Sequence, residues 1–461
     1  LLLAAIVVYL VLTLLVGAFA SRLVKGSNDF VLAGRSLPLF LSASALFATW
    51  FGSETIFGAS SIYLEEGLQG VIEDPFGGAL CLVLFGMFFL RPMYRMGVLT
   101  IGDVFKKIYG KRIEFTATVF LVPVYFGYVA AQLVAMSLVF GAVTDLTLIE
   151  GILLSAGIVV FYTFLGGMWA ISITDFIQTL MIVVGLIAVT VMVTRDAGGV
   201  EFILDKAPEG SFQFLPDAGF TSWVNYFGAW IILGLGSIPS QDIYQRVMSA
   251  KSENVAVRST YLAGGFYVTF GLLPLFIALA AQVMYPELYL ENKQMLLPAM
   301  VLAHSNLPIQ IIFFGALISA IMSTASSGLL APAALISENL IRPLFKGKLS
   351  DAHLLWILRI NVVLVALVSI YMASQDSNIY ELVASASILL LVSLFAPLTA
   401  GLYWKKASPV GAVSSMVFGM LVYLFVDRLN LEISSHIYGL LASIFAMIIG
   451  SLAFPRNKSI V

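Results

Sequence analysis

Charge, cysteine and histidine are all scarce in this sequence, and each shortage removes a class of function. Only 11% of the 461 residues are Asp, Glu, Lys or Arg, against about 25% in soluble domains. A chain so poor in charge cannot present most of its surface to water. The single cysteine, Cys81, lies in an apolar run, which excludes an intrachain disulfide and a cysteine-based metal site. Three histidines (His304, His353 and His436) stand apart, each near a predicted membrane edge. No zinc or redox enzyme is expected from so few, and no Ser-His-Asp set is visible, so the chain reads as a non-enzyme. The net charge of −2 offers nothing to nucleic acid.

What the chain has is apolar length. Hydrophobic residues make up 60% of it and the mean hydropathy is +1.00. Apolar runs of about 20 residues, enough to cross a bilayer as a helix, recur near 4–22, 38–64, 67–94, 113–143, 147–167, 170–194, 221–249, 255–283, 306–337, 353–373, 378–403, 408–427 and 433–454. The expected fold class is an all-α polytopic membrane protein with about 13 transmembrane helices. The first run has no small-residue cleavage pattern and reads as a retained span. Because residue 1 is Leu rather than Met, the true N-terminus is expected to lie upstream. Placing the N-terminus outside puts 19 of the 24 Lys and Arg on one side and in the C-terminal tail. Only Arg195, Lys206, Lys293 and Arg428 fall opposite, and Arg359 lies within a span. Cytoplasmic loops are enriched in Lys and Arg, so the reading is a multi-pass protein of the plasma (inner) membrane with a cytoplasmic C-terminus. The long external loop, 195–220, has room for a short surface helix.

Two runs carry helix-weakening residues at mid-depth. The second reads Ala48-Thr49-Trp50-Phe51-Gly52-Ser53-Glu54-Thr55, and the seventh Gly234-Leu235-Gly236-Ser237-Ile238-Pro239-Ser240-Gln241-Asp242. Gly and Pro weaken a helix, and non-helical backbone at membrane depth survives only where protein buries it or it lines a cavity. A simple kink is the alternative. The interruptions are five spans apart, an odd number, so two five-span units would have opposite topology. Matching interruptions in two inverted halves point to a midplane site.

Acids inside spans are costly. Asp175 either faces an ion or caps a helix at the surface; Glu54 either serves a site or bonds freed amides. Glu73 and Asp74 either contribute to a site or begin the third span near the outer surface. Trp50 is a cavity wall or a packing residue. The ninth span carries Ala320-Ile321-Met322-Ser323-Thr324-Ala325-Ser326-Ser327, four hydroxyls within five residues. Oxygen donors of this kind suit a hard cation such as Na⁺. Close helix contact with hydroxyls bonded to their own i−4 carbonyls is the competing explanation.

These segments resemble the sodium:solute symporter family over nearly the whole chain. The resemblance rests on Leu32-Ala33-Gly34-Arg35-Ser36, Ser53-Glu54, Tyr162 to Gly167, Thr174-Asp175-Phe176-Ile177-Gln178, Gln245-Arg246 and Ala320 to Thr324. It implies a leucine-transporter-like 5+5 inverted repeat with one extra N-terminal helix. The division is then 1–37 (extra helix and loop), 38–195 (first repeat), 196–220 (external loop), 221–403 (second repeat) and 404–461 (two further helices and tail). By motif it implies one Na⁺ held by the carbonyls of Ala48, Phe51 and Ala320 with the hydroxyls of Ser323 and Thr324. A second Na⁺ would fall on Asp175, Ser326 and Ser327. Thr49 to Gly52, Met87 to Met93, Ile108 to Arg112 and Gly236 to Gln241 look like the high-affinity choline transporter branch. That branch cages a quaternary ammonium with aromatic rings, but Gly78, Ser240 and the neighbourhood of Ala131 lack the expected aromatics. Trp50 alone remains as a wall. The expected solute is therefore a small polar molecule, an amino acid or small organic acid, met by Trp50, Glu54, Thr55, Asp74, Gln132, Ser240 and Gln241, with a choline-like amine as the alternative. Rivals from other classes are a channel and a symporter-like sensor. The partners implied are Na⁺, a small solute and the bilayer; a monomer suffices.

Overall fold

The computed structural model describes residues 1–291, 293–345, 348–375 and 379–456. Lys346 and Lys458 of the charge count lie outside them. The architecture is helical throughout. Ten helices among the described residues are long and apolar enough to cross a membrane, rather than thirteen. The difference has three sources. The fifth and sixth runs join in one 49-residue element, Leu148–Asp196. At about 1.5 Å per residue it would be more than twice as long as a bilayer core is thick, but Gly167 (φ 48°, ψ −140°) breaks it. The second run is cut short as Leu39–Trp50, and the seventh as Phe220–Gly236 followed by Gln241–Met248.

Gly167 is required on two counts. Its φ is positive, and a Cβ there would stand 2.5 Å from the Phe30 carbonyl oxygen. Backbone cannot step aside as a side chain can. Gly167→Ala is expected to cost about 2–4 kcal/mol, seen as a fall in melting temperature and in the yield of monodisperse protein. Unchanged thermal stability would contradict this reading of the bend.

Helix Leu307–Leu335 runs through the centre. Asn306 caps it, accepting from the Ile309 N–H at 3.2 Å, and every residue from Phe313 to Leu335 is buried. A helix enclosed on all sides is the axis of a bundle rather than its rim. Around it lie Leu148–Asp196, Lys111–Val143 and the Leu39–Trp50 helix. The last two long helices, Pro409–Asp427 and Ser435–Ala453, meet through small residues. A Cβ on Gly411 would reach 2.1 Å from Ser451 Oγ, and Ser415 and Ser443 bond at 2.8 Å. Small residues allow this approach where lipid supplies no hydrophobic drive between helices. Their outer faces expose Phe418, Phe425, Phe445 and Ile449, as a lipid-facing surface would.

The third run is also interrupted, which its sequence did not announce. Gly67 has φ 67°, and Asp74 (φ −138°, ψ 120°) is extended within Ile72–Gly77. The external loop carries the short helix Val200–Asp205. At one end of the bundle, the segments bordering the two cut helices are joined. The Leu37 N–H donates to the Ser249 carbonyl and the Lys251 N–H to the Leu37 carbonyl, both at 3.0 Å.

Candidate ion and solute site

Leu39–Trp50 ends where Phe51 leaves helical geometry (φ −83°, ψ 73°). The chain turns through Gly52 and Ser53 and resumes at Glu54. The turn lies against the hydroxyl tier of Leu307–Leu335. Thr324 Oγ1 is 3.4 Å from the Ala48 carbonyl and 3.1 Å from the Ala320 carbonyl. Three of the five expected Na⁺ ligands thus converge, all hard oxygen donors from two helices, and Phe51 sits at the break beside them. Such a set fits a small monovalent cation.

Ser323 goes elsewhere. Its hydroxyl donates to Asp175 Oδ1 at 2.5 Å. Asp175 is fully buried and lies well inside Leu148–Asp196, past the Gly167 bend, so it is not a surface cap. Its Oδ2 has no partner, and the positive field of Arg246 reaches it. Ser326 and Ser327 both donate to the Ser323 carbonyl, at 2.9 and 2.8 Å, the local back-bonding available to any hydroxyl in a helix. Ser327 also receives Arg246 Nη2 and lies 3.3 Å from Thr49 Oγ1. Asp175 is therefore bonded to Ser323, not to Ser326 or Ser327.

Beside the turn is a cavity of about 40 Å³ lined by Trp50, Glu54, Tyr125, Ser240, Asp242 and Tyr267, with Tyr128, Ser237, Ser387 and apolar residues completing the wall. Trp50 Nε1 donates to Asp242 Oδ2 at 2.8 Å, and the Tyr125 hydroxyl donates to Oδ1 at 2.7 Å. Glu54 is held from behind: Gln132 Nε2 donates to its Oε2 at 2.9 Å, and Gln132 Oε1 accepts the Ser53 N–H at 3.1 Å.

Of the seven residues expected to meet the solute, Trp50, Glu54 and Ser240 line this cavity. Gln132 supports Glu54. Thr55 and Asp74 form a layer behind the wall: Thr55 Oγ1 donates to Asp74 Oδ2 at 2.8 Å and lies 2.9 Å from the Tyr267 hydroxyl. That hydroxyl donates to the Trp50 carbonyl at 2.9 Å, so the layer props the broken backbone. Asp74 is buried rather than opening a span at the surface. Gln241 turns outward, its Oε1 accepting the Ile101 N–H at 2.8 Å. The cavity also has four aromatic walls, Trp50, Tyr125, Tyr128 and Tyr267, where one was expected. Asp242 had a signal in the sequence, an acid just past the interruption in the seventh run. The three tyrosines had none, because only the fold brings helices Lys111–Val143 and Glu253–Met284 to the same cavity.

The model of the sodium:solute symporter family matches residues 30–419. The chain is 29% identical to "High-affinity choline transporter 1" of Drosophila melanogaster over 91% of its own length and 70% of that protein. Its identity to the Homo sapiens protein of the same name is 28%, over 91% of this chain and 75% of that one. Among solved structures, it superposes on a Na⁺-coupled sialic acid symporter, in a substrate-bound outward-open state, with a TM-score of 0.86 at 19% identity, covering 99% of both chains.

Proposed function

We propose that this chain, which belongs to the sodium:solute symporter family, couples Na⁺ entry to uptake of a small polar organic solute by alternating access. The family implies Na⁺ as the coupling ion, and the protein is a multi-pass membrane transporter. The observation that carries the proposal is the turn at Phe51–Ser53 set against Thr324, with the Ala48 and Ala320 carbonyls 3.4 and 3.1 Å from its hydroxyl.

In this reading Ala48, Phe51, Ala320, Ser323 and Thr324 hold the first Na⁺, whose charge tethers the broken helix to the central one when bound. Trp50, carried on the same broken helix, is then fixed through its indole against Asp242, and the cavity is ordered for solute. Coupling is reciprocal, so solute raises Na⁺ affinity by the same factor. We count thirteen crossings by adding the two interrupted spans and dividing Leu148–Asp196 at Gly167. The repeats are 38–195 and 221–403, with the N-terminus outside. A Na⁺ moving through about 100 mV releases about 2.3 kcal/mol, and a tenfold gradient adds about 1.4 kcal/mol. One ion thus supports accumulation of several hundredfold and two on the order of 10⁵.

Proteoliposome uptake with Na⁺ or K⁺ outside tests the proposal. Saturable uptake that needs Na⁺ is expected; uptake indifferent to the cation would remove it. If Asp175, with Ser326 and Ser327, serves a second ion, Asp175→Asn lowers the Hill coefficient for Na⁺ from near two toward one. A coefficient that stays near two would reject that role.

A further inference from the structure

We propose that the solute is a small organic ammonium ion with N–H donors, held by the Asp242 and Glu54 carboxylates among the rings of Trp50 and Tyr267. The proposal rests on the reading of this cavity as the solute site of a Na⁺-coupled symporter and names the chemical class it takes.

The charge of the lining is one-sided. Asp242 and Glu54 both line the cavity, and among the described lining residues none is Lys, Arg or His. The hydrogen bonds fix the role of Asp242 as an acceptor. Indole Nε1 is a donor only, so Oδ2 accepts from Trp50. The Tyr125 hydroxyl already accepts the N–H groups of Gln241 and Asp242, at 2.7 and 3.1 Å. Its proton is therefore free for Oδ1. Both oxygens thus act as acceptors, and each keeps a lone pair for an occupant.

A second, independent sign is Ser240. Its hydroxyl lines the same cavity, is 4% exposed and has no partner. Buried hydroxyls are nearly always bonded, so an occupant with a polar hydrogen or acceptor completes this one. Four of the lining residues are aromatic, and aromatic rings attract cations to their faces. The volume of about 40 Å³ is that of about three water sites at about 10–15 Å³ each, which favours a molecule of a few heavy atoms. A carboxylate-bearing solute would meet two acidic side chains and no basic group. A quaternary ammonium has no N–H for the acceptors of Asp242 and Ser240.

The test uses purified protein in nanodiscs, measuring melting-temperature shifts in Na⁺ and in K⁺ with four small probes. These are ethanolamine, choline (the same skeleton with three N-methyl groups), glycine and glycolate. Ethanolamine is expected to stabilise the protein only with Na⁺, choline to require at least about tenfold more, and glycine and glycolate to do nothing. Asp242→Asn should weaken ethanolamine binding about 10- to 100-fold, the worth of a hydrogen bond to a charged group, while Na⁺ alone still raises the melting temperature. If that variant loses the Na⁺ shift too, Ser240→Ala, which removes no internal bond, should weaken ethanolamine about fivefold or more.

Preference for glycine or glycolate, choline outranking ethanolamine, or ethanolamine binding unchanged in a folded Asp242→Asn would each overturn the proposal. So would silence of all four probes in a protein that still responds to Na⁺, which leaves the symporter reading standing. Loss of any Na⁺ response in the wild-type protein would instead remove that reading.

Discussion

Thr324→Val will raise the Na⁺ concentration for half-maximal uptake by about 10- to 100-fold, with little change in melting temperature in the absence of Na⁺. Valine reproduces the shape of threonine and deletes its oxygen. In the free protein that oxygen bonds only two carbonyls, Ala48 and Ala320, at 3.4 and 3.1 Å. The Ala320 carbonyl is four residues back in the same helix, so losing the hydroxyl costs the fold little. For an ion the loss is larger, because a ligand to a full charge is worth about 1.5–3 kcal/mol, equivalent to the shift stated. Ser323→Ala is a different experiment. It strips Asp175 of its partner hydroxyl when Oδ2 already has none, and so disturbs a buried acid as well as any ion. A Thr324→Val protein with wild-type Na⁺ dependence would place the ion elsewhere.

Gly52→Ala will abolish coupled uptake, by more than about 100-fold, in a protein that still folds. A Cβ at this position would lie 2.6 Å from Thr324 Oγ1, 2.7 Å from Glu54 Oε2 and 3.0 Å from Gln132 Oε1. All three are tips of side chains rather than backbone, so the fold can yield. What yields is the function: the oxygen facing the Ala48 carbonyl, the acid lining the cavity and the amide that positions it must all move. Displacement of the order of 1 Å at a site costs about 10²-fold. Normal transport by the alanine variant would show that these oxygens are not a working group. Loss of folding, seen as aggregation in detergent, would show that the turn is structural first.

The sequence made some of this legible because broken helices leave local marks. Phe51-Gly52-Ser53 and Gly236 to Pro239 lie where the chain turns, since Gly and Pro act on their own backbone wherever the fold places them. The third interruption, at Gly67 and Asp74, escaped because its acids also suit the start of a span. One of the three steps from thirteen runs to ten long helices has the same kind of reason: Gly167 bends the chain within a step, with no polar loop to separate the fifth and sixth runs. The solute wall was half visible. Trp50, Glu54 and Ser240 flank the breaks, but Gln241 and Asp242 are neighbours in sequence, and adjacent residues of a helix point about 100° apart. No local pattern tells which of two neighbours faces inward. Tyr125, Tyr128 and Tyr267 belong to helices joined to the site only by tertiary contact, and a single chain read in order does not reveal which distant tyrosines meet.

The pair of backbone bonds linking Leu37 to Ser249 and Lys251 bears on how the two interrupted helices travel. Each bond uses main-chain atoms, so only proline, at position 37 or 251, removes a donor from the pair. The two segments are lashed together at one end like a pair of oars at a shared rowlock. A motion of one segment that keeps these bonds carries the other with it at this end.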